Sequence, residues 1–247
     1  SGGSSCRERR AMTANDPPYR QLRVADAWDE TDTLRAVRLD FGAFAGEHTR
    51  PGQLVKLHAP GHKPGYFALG NAPRGDGTGE LLLKRGTPLS DAVIAAAQPH
   101  AIVEATAPFG DGFPVEKARG RDVLLFAAGS GITPVRALLQ WIFDRRQLHG
   151  RVALYYGQRS DRDFAYVREH EAWQRAGVHL VLCASRASPS WSGARGYVQT
   201  VARELRLHEI STDNAVAFLC GMKSMVDGAR VELLHFGLPP DRTFLNF

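Results

Sequence analysis

The sequence predicts two linked folds: an antiparallel β-barrel, then an α/β unit built on a parallel sheet. Three observations carry this expectation. Short strand-like runs separated by Gly, Pro and Asp clusters fill residues 19–118. From residue 119 onward, strand-like and helix-like runs alternate, the pattern of a parallel sheet with helices on both faces. Between the first of these later strands and its helix stands a glycine turn, Gly129-Ser130-Gly131.

Residues 1–18 stand apart. Ser1–Ser5 are small and polar, and Arg7, Arg9 and Arg10 are balanced only by Glu8. This is either a disordered or vector-derived leader, or the remnant of an Arg- and Ser-rich organelle-targeting segment. The barrel strands are expected at Gln21–Ala27, Thr33–Asp40, Leu54–Ala59, Tyr66–Gly70, Glu80–Arg85 and Ala101–Ala107. One helix, Pro88–Ala97, interrupts them, with Ser90 and Asp91 in its first turn. Composition shifts near Ala118–Arg121, which sets the domain boundary. Strands then fall at Val123–Ala128, Val152–Gly157, Val178–Cys183 and Ala215–Cys220. Helices fall at Pro134–Gln147, about Phe164–Arg175, Val198–Leu205 and Ser224–Phe236. In the last helix Met225, Ala229 and Leu233 share one face.

At 247 residues the chain suits two modest domains, and 43% apolar with 23% charged residues is ordinary for a globular protein. The longest apolar runs are far too short to span a bilayer. A net charge of +5 favours anionic partners. Nucleic acid is set aside, because the cations are dispersed and no aromatic-and-basic module is present. Cys6, Cys183 and Cys220 show no metal-ligand spacing, and their odd number argues against a disulfide framework. A soluble protein of a reducing compartment is expected: plastid or mitochondrion if the leader is a targeting remnant, otherwise cytoplasm.

The glycine turn carries the chemistry. Gly129 permits the tight turn and Gly131 lets a diphosphate approach the backbone, while Ser130 and Ile132 complete the cradle. Thr133 is placed to cap the helix and Pro134 to occupy its first position, so the helix N-terminus faces an anion. A branched side chain at Gly131 would then block the ligand and leave the fold intact.

Four motifs in order make the chain resemble the ferredoxin–NADP⁺ reductase superfamily over residues 20–247. Gly129, Gly131 and Pro134 match its G-x-G-x-x-P turn, and Cys220-Gly221-Met222 its Cys-Gly segment. Ala107–Phe113 matches its barrel exit, and Pro51-Gly52-Gln53 its P-G-Q. The resemblance implies NADP as cofactor, with Ser185, Arg186, Arg195, Tyr197 and Gln199 around the 2′-phosphate and adenine; NAD stays open. It places Cys220 beside the nicotinamide, with a buried structural thiol as the other reading, and Phe247 over a flavin ring. It also implies FAD, but that site departs from the family pattern. Where relatives carry R-x-Y-S, this chain has Gly65-Tyr66-Phe67-Ala68, so arginine, tyrosine and serine are all absent. Tyr66 could take the tyrosine role only through a register slip. Arg85-Gly86-Thr87 and Ser90 keep the second flavin segment, a turn into a helix. Weak flavin binding is expected. Two functions follow from the resemblance: a reductase passing electrons from NADPH through FAD to an acidic electron-transfer protein or a quinone, or a non-catalytic subunit or dinucleotide sensor of a larger redox complex.

Overall fold

The computed structural model describes residues 16–246, so most of the leader, Cys6 and Phe247 lie outside the described residues. The first sheet holds β1 (Tyr19–Asp29), β2 (Leu34–Asp40), β3 (Leu54–His58), β4 (Gly65–Ala68), β5 (Thr78–Lys84) and β6 (Ile102–Thr106). Its order is β4-β3-β6-β1-β2-β5, with every pairing antiparallel. The sheet curls like a barrel without closing. β4 and β5 form its two edges, and just past β4 the Gly70 N–H donates to the Glu80 carbonyl at 2.7 Å. Leu22, Val24, Val37, Leu39, Val55, Leu57, Leu81 and Leu83 alternate inward along their strands and fill the interior. Helix α1 (Pro88–Ala96) covers one end with Val93 and Ile94.

The second sheet is parallel throughout. Its strands are β7 (Asp122–Ala128), β8 (Val152–Gln158), β9 (Val178–Ala184), β10 (Ala194–Arg195), β11 (Ala215–Cys220) and β12 (Thr243–Leu245), ordered β10-β9-β8-β7-β11-β12. All six residues of β11 are buried, because helices cover both faces of a central parallel strand. The helices are α2 (Ile132–Phe143), α3 (Val167–Arg175), α4 (Val198–Glu204) and α5 (Lys223–His235). Met225, Ala229 and Leu233 are buried on one face of α5, as their spacing predicts.

Several boundaries differ from expectation. Helix α2 begins at Ile132, led in by a 3₁₀ turn at Gly129–Gly131, and ends at Phe143 rather than Gln147. Thr133 makes no capping bond; it is buried inside the first turn, and Pro134 is the third helical residue. Helix α3 begins at Val167 because Tyr166 sits at φ 60°, outside helical geometry. Strands β10 and β12 carry too few residues to show a period in sequence.

The two sheets meet through α2. Its Arg136 donates to the Gly70 carbonyl at 2.7 Å and pairs with Glu80 of β5 at 3.0 Å. Gln140 accepts the Ala72 N–H at 3.0 Å. Phe113, at the barrel exit, packs edge-on against Phe218 of β11 with ring centres 5.4 Å apart.

Candidate functional site

In the parallel sheet, β7 is the first strand of the unit, and the chain winds outward from it in both directions. The C-terminal ends of β7 and β11 therefore form the switch point where such folds bind ligands. The glycine turn follows β7 at that place. Gly129 has φ +60°, and a Cβ there would meet nothing within 4 Å. Open space above a left-handed glycine, beside the N-terminus of α2, is a cradle for a phosphate.

Gly131 plays a different part. A Cβ on it would overlap the Cys220 carbonyl oxygen, and would lie 2.6 Å from that carbonyl carbon and 2.9 Å from Gly221 N. Gly221 is confined less tightly, its would-be Cβ lying 2.7 Å from the Met225 Cε and 3.0 Å from the Ala128 Cβ. These glycines let the end of β11 press against the turn after β7. The expectation that a side chain at 131 would spare the fold is therefore corrected: the nearest atoms are rigid backbone, not ligand space. Cys220 is 6% exposed, and burial pushes its thiol up to about 12. Burial thus disfavours the thiolate, the nucleophilic form of the group. Met222, which precedes α5, is exposed.

Around the ends of β8 and β9, backbone bonds tie Ser185 N to Gln158 O (3.0 Å) and Arg186 N to Arg159 O (2.7 Å). Arg159 and Arg186 thus leave adjacent strand ends side by side. Both are exposed, and among the described residues neither guanidinium has a hydrogen-bond or ion-pair partner. Arg159 was overlooked in sequence, although Gln158-Arg159 repeats the strand-end placement of Ser185-Arg186. Arg195 is the opposite case. Its guanidinium donates to the carbonyls of Ala187 (3.4 Å), Ser188 (2.9 Å), Pro189 (3.3 Å) and Trp191 (3.1 Å). These bonds close that loop on itself, and Arg195 remains exposed. Tyr197 is 64% exposed at the start of α4. Gln199 packs on Gly228 of α5 and has a buried carbonyl oxygen without a partner.

On the barrel side, β4 pairs with β3 without a bulge. Phe67 leans on the barrel core, while the Tyr66 ring is 44% exposed and its hydroxyl donates to Asp16 at 2.8 Å. Leu69 N–H donates to Gln53 O, so by antiparallel alternation Tyr66 and Ala68 turn their backbone groups to the unpaired edge. Gly65 is covered by Leu89, whose Cδ2 would lie 2.9 Å from a Cβ there. Beyond it, Gly86 (φ +86°) and Thr87 lead into α1 with open space above the glycine. Two groups named from sequence are already engaged. Arg85 pairs with Asp29 at 2.5 Å, and the Gly86 N–H donates to Asp91 at 2.9 Å. Ser90 is buried in the first turn of α1. Lys63 and Lys84 are exposed.

Comparison with known proteins shows the family and the fold. Residues 125–231 match the family profile described as an oxidoreductase NAD-binding domain. Ferredoxin–NADP reductase B of Sorangium cellulosum is 32% identical over 203 residues, covering 78% of this chain and 81% of that protein. Sulfhydrogenase 1 subunit gamma of Pyrococcus furiosus is 29% identical over 244 residues, covering 95% of this chain and 82% of that protein. Among solved structures, a ferredoxin–NADP⁺ reductase from Neisseria gonorrhoeae with bound FAD and NADP superposes with a TM-score of 0.76. It shares 18% identity over 93% of this chain and 99% of that one. No helix among the described residues is long and apolar enough to cross a membrane.

Proposed function

Because the chain belongs to the ferredoxin–NADP⁺ reductase superfamily, we propose that it is an NAD(P)H-dependent flavoprotein reductase that prefers NADPH and delivers electrons to a protein acceptor. The observation that carries this reading is the switch-point cradle: open space over Gly129 at the N-terminus of α2, closed from behind by Gly131 and Cys220. When bound, the flavin supplies the conversion of a hydride into single electrons. The chain's own residues bind and orient. Gly129 and the free N–H groups of α2 face the dinucleotide diphosphate. Cys220, neutral and buried, shapes the floor beside the reacting rings without competing for a proton. The edge of β4 holds the flavin ring through the backbone of Tyr66 and Ala68.

The NADPH preference rests on Arg159 and Arg186, two unengaged cations at adjacent strand ends. Arg186→Ala is expected to weaken NADPH about tenfold or more while sparing NADH, the loss of about 1.5–3 kcal/mol for one charge-assisted bond. Calorimetric titration of both nucleotides checks this, and an equal loss for both would remove the assignment. Arg195→Ala, which opens the loop at residues 187–191, is expected to shift both nucleotides together.

The reductase reading is tested by titrating the purified protein with FAD and then adding NADPH without oxygen. The expected result is FAD binding weaker than an arginine-anchored site provides, and bleaching of the visible flavin band by NADPH. Bound FAD that NADPH leaves oxidised would overturn catalysis. It would favour the second reading, a non-catalytic subunit of a larger redox assembly, which is supported by the near full-length similarity to a protein named as a subunit.

A further inference from the structure

The turn between β1 and β2, residues 30–33, belongs to the barrel but reaches the other unit with two side chains. The Glu30 carboxylate accepts the Tyr166 N–H at 2.8 Å, and the Thr33 hydroxyl donates to the Asp163 carboxylate at 2.8 Å. Both bonds end in the loop between β8 and α3. The other carboxylate oxygen of Glu30 accepts the Trp28 indole N–H at 2.6 Å, so the side chain is held from both ends. Tyr166 stands immediately before α3, where unpaired N–H groups favour a negative charge.

Tyr166 itself is constrained. It sits at φ 60° and ψ 28°, a left-handed conformation that bulky residues rarely adopt and that persists only where the surroundings fix it. Its ring is buried, with the Arg136 guanidinium 4.3 Å from its centre. Arg136 in turn donates to the carbonyl of Gly70, two residues past Ala68 at the end of β4. Direct contacts therefore run from the Glu30 turn through Tyr166 and Arg136 back to the strand assigned to the flavin ring. Helix α2, which carries Arg136, starts at the dinucleotide cradle.

We propose that Glu30 and Thr33 are positioning residues that fix the barrel against the nucleotide-binding unit, and so set the distance a hydride crosses between nicotinamide and flavin. Their partners lie in the loop after β8, away from the glycine turn and from β4. A misplacement of about 1 Å between reacting groups can cost roughly a hundredfold in rate, even when it originates far from them. The inference rests on the reductase reading above, since transfer between two rings is the step that senses this distance.

The test is the rate of flavin reduction by saturating NADPH without oxygen, with FAD in excess, beside calorimetric affinities for FAD and NADP⁺. Glu30→Ala combined with Thr33→Val removes both crossing bonds. Thr33→Val alone keeps the side chain's shape and serves if the double variant folds poorly. Reduction is expected to slow at least about tenfold in the double variant and several-fold in Thr33→Val, with both affinities unchanged. Thr33→Ser keeps the hydroxyl and is expected to react at the unmodified rate. An unaltered rate in the double variant overturns the proposal, as does a loss of cofactor affinity that accounts for the slower rate; both leave the reductase reading standing. Unmodified protein whose bound FAD stays oxidised under NADPH overturns both.

Discussion

Arg136→Ala is expected to lower the melting temperature by on the order of 10 °C at neutral pH, the largest stability effect of any single substitution considered for this protein. Arg136 is nearly buried and pairs with Glu80, whose side chain is 3% exposed, at 3.0 Å and with Glu169 at 2.5 Å. It also donates to the Gly70 carbonyl and lies over the Tyr166 ring, 4.3 Å from its centre. Removing one partner of a buried pair leaves the other charge without compensation, at a cost of about 3–5 kcal/mol. The effect has a pH signature. Burial already holds the Glu80 carboxyl above the usual carboxylate range, opposed by Arg136 and then Arg38. Without Arg136 that carboxyl rises further. A carboxyl raised in the folded state takes up a proton more readily folded than unfolded, so protonation favours folding. The variant's deficit should be greatest above the folded-state pKa of Glu80 and shrink as the pH falls through it. Melting curves of both proteins at pH 8 and pH 5 check this; an equal deficit at the two pH values would show that Glu80 is not the group left stranded.

The second large effect separates two glycines that look equivalent in sequence. Gly131→Ala is expected to destabilise the fold and abolish dinucleotide binding together. Its Cβ would strike the Cys220 carbonyl, and a backbone at the end of a buried strand cannot yield cheaply. Overpacking of this kind costs about 1–3 kcal/mol, and more where nothing relaxes. Gly129→Ala is expected to keep the fold, with only the roughly 1–2 kcal/mol cost of a left-handed alanine. Its Cβ meets no protein atom, so its damage falls on the ligand, a loss of at least about tenfold in NADP⁺ affinity. Thermal melts and calorimetry on the two variants decide the matter. A Gly131→Ala protein that melts like the unmodified one would show that β11 can retreat, and a Gly129→Ala protein with full affinity would show that the diphosphate does not approach the turn.

What could be seen in the sequence alone was what repeats locally. The short runs set apart by Gly, Pro and Asp along β1 to β6, the strand-and-helix alternation from β7 onward and the glycine turn are periodic or punctuated patterns, and each lies in the structure within a few residues of its expected place. The passage from strand through glycine turn to helix was legible because the three stand next to one another in the chain. Strand β12 was not, since three residues carry no period and gain their structure only by pairing with β11. The partners of the charged groups were not legible either. Folding brings four carbonyls to Arg195 and, among the described residues, none to Arg186. Arg85 found Asp29 across 56 residues, and the turn at Gly86 found Asp91. Asn246 met Gly52 only because β12 lies beside β11 and the barrel packs against that sheet's end. Local backbone preference and hydrophobic period act between neighbours in sequence, and they determine the elements and the turn. Hydrogen bonds, ion pairs and steric confinement act between neighbours in space, and tertiary packing alone decided which residues of the site are free to meet a ligand.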